Sequence, residues 1–340
     1  MSFWEDEVPA FIRTWLLEES DAEVRYLTLR DLQDLPADDS VLLRAKEAAH
    51  QHGLIAHILS HMDKTGFWIK PGAGYYPKYT GSVWSLIMLA QLGADLHMDE
   101  RIARACNYLL DYSLTEDGQF TMNGAPSSTI DCLQGNLCAA LLDLGCNDPR
   151  LEGAFAWMAR TTTGQGLASK EERAAPLRYY AYQCGPGFAC GANWGLPCAW
   201  GAVKIMLAFS KLPQEQYSPL VEQAIQCGVD FLFSVDPAGA QYPCEAGKLP
   251  SGNWWRFGFP LFYVTDLLQV VEVLVALGYG HDARLANAVQ LIRGKQTAQG
   301  NWLLEYSYTG KTWVEIGEKK QPNPWVTLRA LRVLKRLQDG

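Results

Sequence analysis

The sequence predicts an all-α protein whose helical hairpins close into an α/α toroid, with an inner ring of helices surrounded by an outer ring. Two observations predict this fold class. Apolar segments of similar length recur along the 340 residues, and most are followed by a second, more amphipathic segment. Helices that are apolar all round are buried, whereas helices with one polar face lie at the surface. We therefore expect one domain over residues 1–340, built from roughly five to six hairpins.

The apolar segments are interpreted as the inner helices. Four of the five end in Leu-Gly or Leu-Pro, which is a signal for the end of a helix. They are TGSVWSLIMLAQLG (80–93), DCLQGNLCAALLDLG (131–145), CAWGAVKIMLAFSKLP (198–213), TDLLQVVEVLVALG (265–278) and PWVTLRALRVLKRL (324–337).

The amphipathic partners are interpreted as the outer helices, and they cover 99–112, 149–160, 218–233 and 283–296. Near the N-terminus, segments 22–36 and 42–62 fit the same scheme of paired helices. The final inner segment has no helix after it. It is therefore expected to pair with the N-terminal helices.

A turn that combines glycine with an aromatic residue follows most of the outer helices. These turns are KTGFW (64–68), EDGQF (116–120), AGAQY (238–242) and QGNW (299–302). We expect Trp68, Phe120 and Trp302 to hold neighbouring helices together, which is a structural role.

Helix pairs separated by such turns, most clearly RGKQTAQGNW (293–302), resemble the Q…G-x-W repeats of squalene and oxidosqualene cyclases. The β subunits of protein prenyltransferases share that architecture. The resemblance extends over nearly the whole chain at the level of repeats and points to a bacterial squalene cyclase-like branch of this superfamily. It implies inner helices around a central cavity and an enzyme that acts on an apolar, isoprenoid-like ligand.

Charge and composition exclude several classes of function. The net charge is -8 and no basic run interrupts the sequence, which argues against nucleic acid as a partner. The acidic N-terminus does not look like a signal peptide, and no apolar run is long enough to span a bilayer. We expect a cytoplasmic protein whose nine cysteines stay reduced. An apolar or lipid-like small molecule is the expected partner, and the sequence does not tell whether a second subunit exists.

Three cysteines lie in the glycine-rich stretch CGPGFACGANWGLPC, namely Cys184, Cys190 and Cys198. Aligned on Leu144 and Leu212, which end two successive inner helices, Cys132 and Cys198 fall near the first turns of both. Helix N-termini favour thiolates, and tetrahedral zinc accepts four sulfur ligands. The sequence therefore predicts a zinc site at the cavity mouth, formed by Cys132, Cys184, Cys190 and Cys198. Because the C-x5-C-x7-C spacing is not that of a zinc knuckle, small core residues are the alternative interpretation.

The resemblance to prenyltransferases adds a comparison. Their catalytic zinc is held by an aspartate, a nearby cysteine and a histidine, and Asp131 and Cys132 match the first two. No histidine of this sequence starts an inner helix, so the third ligand has no match. If four thiols bind, the metal is structural; with three, it has an open position for chemistry.

The acid of squalene cyclases lies in a D-x-D-D motif, which is absent. Asp131 and Asp266, at the starts of inner helices, are the candidate catalytic acids, and each could equally stabilise its helix dipole. Aromatic rings near the loops could stabilise cationic intermediates, and basic residues could meet an anionic head group. The candidate substrate-binding residues are Tyr76, Lys78, Trp84, Tyr180, Trp194, Trp254, Trp255, Arg256, Tyr263 and Trp325.

Three other functions stay open. The first is a zinc-thiolate enzyme of the lanthionine cyclase type, although its C-H-G signature is absent. The second is a toroid that binds a lipid or peptide without catalysis. The third is a sugar-processing enzyme with paired carboxylates, for which Asp131, Glu245 and Asp266 are the possible members.

Overall fold

Fourteen α-helices make up the computed structural model, which describes residues 3–169, 171–175, 184–245, 248 and 251–339. Within these residues strand pairing is limited to isolated bridges, as expected for an all-α protein. The helices are α1 (Phe3–Asp6), α2 (Ala10–Leu16), α3 (Ala22–Asp31), α4 (Ser40–His52), α5 (Leu54–Ser60), α6 (Ser82–Gln91), α7 (Glu100–Ser113), α8 (Asp131–Asp143), α9 (Arg150–Thr163), α10 (Ala199–Phe209), α11 (Pro219–Leu232), α12 (Leu267–Ala276), α13 (Ala286–Gly294) and α14 (Pro324–Asp339).

Six helices form the inner ring: α3, α6, α8, α10, α12 and α14. From α6 to α14 each packs against the next, and α14 packs against α3. Two contacts of Asp31, at the end of α3, fix this last junction: it pairs with Arg332, and its carbonyl accepts from Lys335 Nζ at 2.9 Å. Gly93, just after α6, lies against Leu27 of α3 and completes the ring. The helical toroid predicted from the sequence is thus confirmed.

The outer helices pack on their inner partners, as the amphipathic segments predicted. The pairs are α3 with α4, α6 with α7, α8 with α9, α10 with α11, and α12 with α13. The last inner helix, α14, packs against α2 from the N-terminus. That contact supplies the partner that the sequence left open and makes a sixth hairpin.

Three of the four glycine-aromatic turns share one geometry, in which Gly66, Gly118 and Gly300 adopt a positive φ; in the fourth, AGAQY, Ala240 has the positive φ instead. In two of the three, a buried tryptophan donates its indole N–H to the end of the preceding helix: Trp68 Nε1 to Ile58 O at 2.9 Å and Trp302 Nε1 to Ile292 O at 2.8 Å. Phe120 occupies the same place without a polar atom and is 0% exposed. These residues hold helices together, which is the role predicted for them.

The centre of the ring is filled by a chain segment that the sequence analysis did not anticipate. Residues 257–264, here called the central segment, precede α12 and lie inside the ring. Leu261 exchanges two hydrogen bonds with Gln91 of α6, at 2.6 and 2.8 Å, and Phe262 O accepts from Asn136 Nδ2 of α8 at 3.0 Å. Phe259 stacks on Trp325 of α14. The wide central cavity implied by the resemblance is therefore divided into smaller spaces.

Glycine residues allow helices α8 and α10 to approach each other more closely than larger residues would permit. Gly135 lies against the backbone of Lys204, so that a Cβ atom there would clash with the Lys204 carbonyl. Gly201, near the start of α10, lies beside the Asp131 side chain, where an added Cβ would lie 3.2 Å from the Cβ of Asp131. This contact brings the N-terminal ends of α8 and α10 together.

Candidate functional site

A cavity of about 240 Å³ lies where α8 and α10 begin; we call it the thiol cavity. It contains cysteines from two segments, one carboxyl group and three aromatic rings. The lining residues are Tyr75, Lys78, Ile130, Asp131, Cys132, Cys190, Ala192, Cys198, Trp200, Gly201 and Tyr263. Six of these are residues predicted from the sequence, namely Lys78, Asp131, Cys132, Cys190, Cys198 and Tyr263.

The carboxyl group belongs to Asp131, the first residue of α8, which is 7% exposed. A helix N-terminus favours a carboxylate, but burial opposes the charge. Burial has the larger effect: together with the charge of the nearby Cys190 it raises the pKa of Asp131 to about 8, although a hydrogen bond from the Cys184 thiol acts in the opposite direction. Asp131 therefore carries a proton at neutral pH.

The four cysteines of the predicted site do meet at this end of the ring. Cys184 is fully buried and donates to Asp131, whereas Cys132, Cys190 and Cys198 line the cavity. Burial, followed by the charge of Asp131, raises the pKa of Cys132 to about 12, so that it stays a thiol.

Cys190 and Cys198 form a hydrogen-bonded pair. The bond from Cys198 lowers the pKa of Cys190, and burial opposes it; backbone N–H groups of Ala192 and Asn193 add to the lowering. The same bond, together with burial, raises the pKa of Cys198 well above its usual value. Cys190 is thus the thiol of this cavity that most readily becomes a thiolate.

A metal does not fit this arrangement. Among the residues that the structure describes, no three His, Cys, Asp or Glu side chains are placed so that they could hold one ion together. The sulfur atoms instead pair with each other and with Asp131. The zinc predicted from the sequence stays a prediction, for which metal analysis is the test.

Aromatic rings form the opposite wall. Lys78 Nζ lies 5.0 Å from the ring centre of Tyr263 and 5.6 Å from that of Tyr75, in cation–π contact with both. Trp84, a predicted binding residue, lies behind this wall and donates its indole N–H to Tyr75 O at 2.7 Å. Tyr75 is not among the predicted binding residues, because only the path of the loop shows that its ring faces the cavity.

A second cavity of about 340 Å³ adjoins the first and shares Cys190, Cys198 and Trp200 with it. Two predicted residues, Trp194 and Trp254, line this space. Trp194 is 70% exposed, whereas Trp254 is buried and donates to Pro237 O at 2.9 Å. The paired cysteines therefore form a wall between two cavities.

The remaining predicted binding residues do not line the thiol cavity. Trp255 donates to Ala238 O at 2.7 Å, Trp325 stacks on Phe259, and Tyr76 and Arg256 are exposed. Tyr180 lies outside the described residues.

Asp266, the second candidate acid, lies in a buried ion pair away from the thiol cavity. Both of its oxygens accept from Arg329 of α14 at 2.9 Å, and they also accept from the N–H groups of Gly258 and Gln269. With these partners Asp266 caps α12 and ties it to α14 and the central segment. A proton-transfer role would require those bonds to break.

Lys204 is a buried basic residue that is not among the residues predicted from the sequence. Its Nζ donates to Gln269 Oε1 at 2.5 Å, and burial lowers its pKa to about 7. It lies inside an apolar helix, where no pattern in the sequence distinguishes it from a surface lysine. It does not reach the thiol cavity.

Comparison with known proteins leaves the family open. No family model matches the sequence, and no curated protein matches it. A solved structure of a protein from Actinoplanes is similar at 12% identity and a TM-score of 0.31, covering 87% of this chain and 99% of that one. A variant of the type II terpene cyclase MstE from Scytonema, in complex with geranylgeranyl dihydroxybenzoate, is similar at 13% identity and a TM-score of 0.32, covering 87% and 97%.

The apo form of MstE gives 14% identity and a TM-score of 0.30, covering 87% of this chain and 98% of that one. At such scores the likeness carries no argument about the activity of this chain. The toroid therefore rests on the helix contacts described above. Among the described residues no helix is both long and apolar enough to cross a membrane.

Proposed function

We propose that the protein is an enzyme that binds a small apolar, isoprenoid-like molecule in the thiol cavity and transfers a proton to it from Asp131. The observation that supports this most directly is the protonated carboxyl group of Asp131 on the wall of an aromatic cavity. A buried acid that keeps its proton at neutral pH is suited to general acid catalysis. The faces of Tyr75, Trp200 and Tyr263 would stabilise positive charge that develops on the ligand.

The size of the cavity limits the ligand. Its volume of about 240 Å³ lies below the range of roughly 300–1,000 Å³ that is usual for ligand pockets. The central segment fills the space in which a long polyprenyl chain would otherwise lie. We therefore propose a short isoprenoid, or the terminal part of a longer one that extends into the neighbouring cavity.

The strength of the acid limits the reaction. A carboxyl group with a pKa of about 8 is a weak acid, whereas protonation of an isolated double bond requires a strong one. Asp131 is better matched to a carbonyl or hydroxyl oxygen, or to a double bond conjugated with one. The proposed ligand is therefore an isoprenoid that carries oxygen.

The sugar-processing alternative has less support. Paired-carboxylate hydrolysis needs two carboxyl groups that face the same bond. Of the three candidates, only Asp131 lines the thiol cavity, since Asp266 is held by Arg329 and Glu245 lies beside the second cavity, close to Lys248.

Ligand binding tests the proposal. Geraniol and citral should quench tryptophan fluorescence and raise the melting temperature of the protein by mass action. Tyr263→Ala should weaken both effects, because it removes one wall of the cavity. The matched control, Tyr279→Ala, changes a tyrosine that does not line the cavity and should leave them unchanged. Saturable binding of oligosaccharides with no response to either isoprenoid would refute the proposal.

A further inference from the structure

We propose that His57 and His61 form a binding site for a zinc ion on the exposed face of α5, with Trp313 as a positioning residue. None of these three residues lines the thiol cavity, so the site does not depend on the proposed function. The inference assigns a ligand class to two exposed histidines that the packing of the helices does not explain.

The two histidines lie four residues apart at the end of α5, with His57 in its last turn and His61 directly after it. Residues at this spacing share one face of a helix, and two histidines so placed are a known zinc-binding arrangement. The carbonyl groups at a helix C-terminus carry partial negative charge, which favours a cation. Spacing and helix polarity therefore both favour a metal cation at this position.

The facing nitrogen atoms fit one tetrahedral ion. His57 Nε2 and His61 Nε2 are 3.4 Å apart, and the ring planes lie at 72° to each other. This distance is longer than the roughly 2.7–3.2 Å of a typical hydrogen bond from N–H to oxygen, so the direct contact is weak. Two nitrogens that each lie about 2.0–2.1 Å from a tetrahedral zinc ion are themselves about 3.3–3.4 Å apart. The pair is thus spaced to share an ion.

Trp313 holds the His61 ring in place. The two rings stack with their centroids 4.3 Å apart and their planes at 15°. Trp313 Nε1 donates to Ser85 Oγ of α6 at 3.0 Å, so an inner helix fixes the stacking surface. A ligand ring that is oriented in advance loses less conformational entropy on binding, and supporting contacts of this kind are worth about 10–100-fold in metal affinity.

The ligand set predicts an exchangeable ion. Asp63, the nearest carboxylate along the chain, accepts from the N–H and the hydroxyl group of Thr65. Among the described residues, no third His, Cys, Asp or Glu side chain is placed to complete the site. Two protein ligands hold zinc more weakly than four thiolates, so the ion is lost when the protein is desalted. Imidazole favours zinc over magnesium and calcium, which prefer oxygen ligands.

An ion at this position would stabilise one corner of the ring. It would cross-link the last turn of α5, and the stacked Trp313 would connect that turn to α6. A helix of seven residues is too short to be stable by itself. Because the ion binds the folded turn, added zinc should stabilise the folded protein by mass action.

Calorimetric titration of the desalted protein with zinc chloride tests the site. We expect one weak, saturable site per chain at the histidines, a melting temperature that rises with zinc concentration, and no response to magnesium chloride. His57→Ala and His61→Ala should each abolish both effects. The matched control is His281→Ala, which changes an exposed histidine with no second histidine four residues away and should leave both effects unchanged.

Trp313 distinguishes an oriented site from two surface ligands. Trp313→Ala should weaken zinc binding by about tenfold, whereas Trp313→Phe keeps a stacking ring and should retain most of the affinity. Circular dichroism of each variant without zinc shows whether the fold is kept. Equal zinc affinity of the wild type and Trp313→Ala would refute the positioning role.

Three results would overturn the zinc site. The first is wild-type protein that shows no saturable zinc binding. The second is binding that persists in both histidine variants and is lost in Cys132→Ser, which would place the ion at the thiols. The third is an equal loss of affinity in His281→Ala and His57→Ala, which would show adventitious binding at surface histidines only.

Discussion

Three connections into inner helices share one geometry, and the connection into α10 departs from it. Before α6, α8 and α14, a glycine with positive φ precedes a buried aromatic residue by two positions: Gly66 and Trp68, Gly118 and Phe120, Gly300 and Trp302. The backbone N–H of each aromatic donates to a side chain of the coming inner helix, namely Ser82, Gln134 and Thr327. Each of these turns is therefore tied to the inner helix that follows it.

In the connection into α10, the described residues 184–198 have no such turn. Their polar side chains are those of three cysteines and Asn193, and Cys190 and Cys198 face two cavities rather than the helix interface. In segments with a purely structural role, the local sequence generally agrees with the fold, and departures from that agreement concentrate at functional sites. The repeat therefore builds the ring, and the segment that interrupts the repeat builds the site.

The largest expected effect is a loss of stability on mutation in the regular turn before α14, compared with the connection into α10. Trp302→Ala removes a side chain that is 0% exposed and donates to α13, so it should lower the free energy of unfolding by about 3–5 kcal/mol. Trp194→Ala, in the connection into α10, removes a tryptophan that is 70% exposed and should change it by less than about 0.5 kcal/mol. Urea unfolding of both variants measures this; similar losses would remove the distinction.

The next effect tests the close contact that carries the site. Gly135→Ala places a methyl group against the Lys204 backbone and should cost about 1–3 kcal/mol, because α8 and α10 must move apart. Gly294→Ala, with no atom within 4 Å of the new Cβ, is the control and should be neutral or slightly stabilising. If both variants unfold like the wild type in urea, α8 and α10 are not in close backbone contact at Gly135.

The helices could be predicted from the sequence because apolar periodicity and leucine-glycine ends are local signals. The inner segments 131–145 and 324–337 correspond to α8 and α14 within a few residues. The predicted segment 42–62 is split into α4 and α5 at Gly53, whose missing side chain makes room for Glu23. That break depends on a residue from another helix, which a local pattern does not contain.

Part of the site could also be predicted from local signals in the sequence. Cys132 and Cys198 were placed at one end of the ring by aligning helix ends, and the structure brings both to the thiol cavity. Other features depend on the paths of loops. These are the orientation of Tyr75 and Trp200 toward the cavity, the ion pair of Asp266 with Arg329, and the position of the central segment. Loop paths are fixed by contacts distant in sequence, such as that of Leu261 with Gln91.

Another expected effect depends on pH and concerns the protonated acid. The pKa of Asp131 is about 8 in the folded protein against an ordinary value of 3.8, so the folded state holds this proton more tightly. Its contribution to stability is complete below pH 3.8 and is lost as the pH rises to about 8. The stability of Asp131→Asn relative to wild type should therefore rise across this window by at most about 1.4 kcal/mol per pH unit.

The difference between variant and wild type is needed because Lys204 acts in the opposite direction. Burial lowers its pKa from 10.5 to about 7, so its contribution grows as the pH rises between these values. That slope is common to both proteins and cancels in the difference. Parallel stability curves for the two proteins from pH 4 to 8 would show that Asp131 is ionised in the fold.

The smallest expected effect is that of a chelator, and it decides between two arrangements of the same four thiols. The sequence predicts about one zinc per chain held by Cys132, Cys184, Cys190 and Cys198. In the described geometry, Cys190 is hydrogen-bonded to Cys198, and Cys184 is hydrogen-bonded to Asp131. Among the described residues, no three His, Cys, Asp or Glu side chains are then placed to hold one metal ion. This geometry predicts well under one zinc per chain by elemental analysis and an unchanged melting temperature after chelation. If zinc is stoichiometric and Cys132→Ser releases it, the thiols form a metal clasp between α8 and α10, and the interruption of the repeat serves stability as its regular turns do.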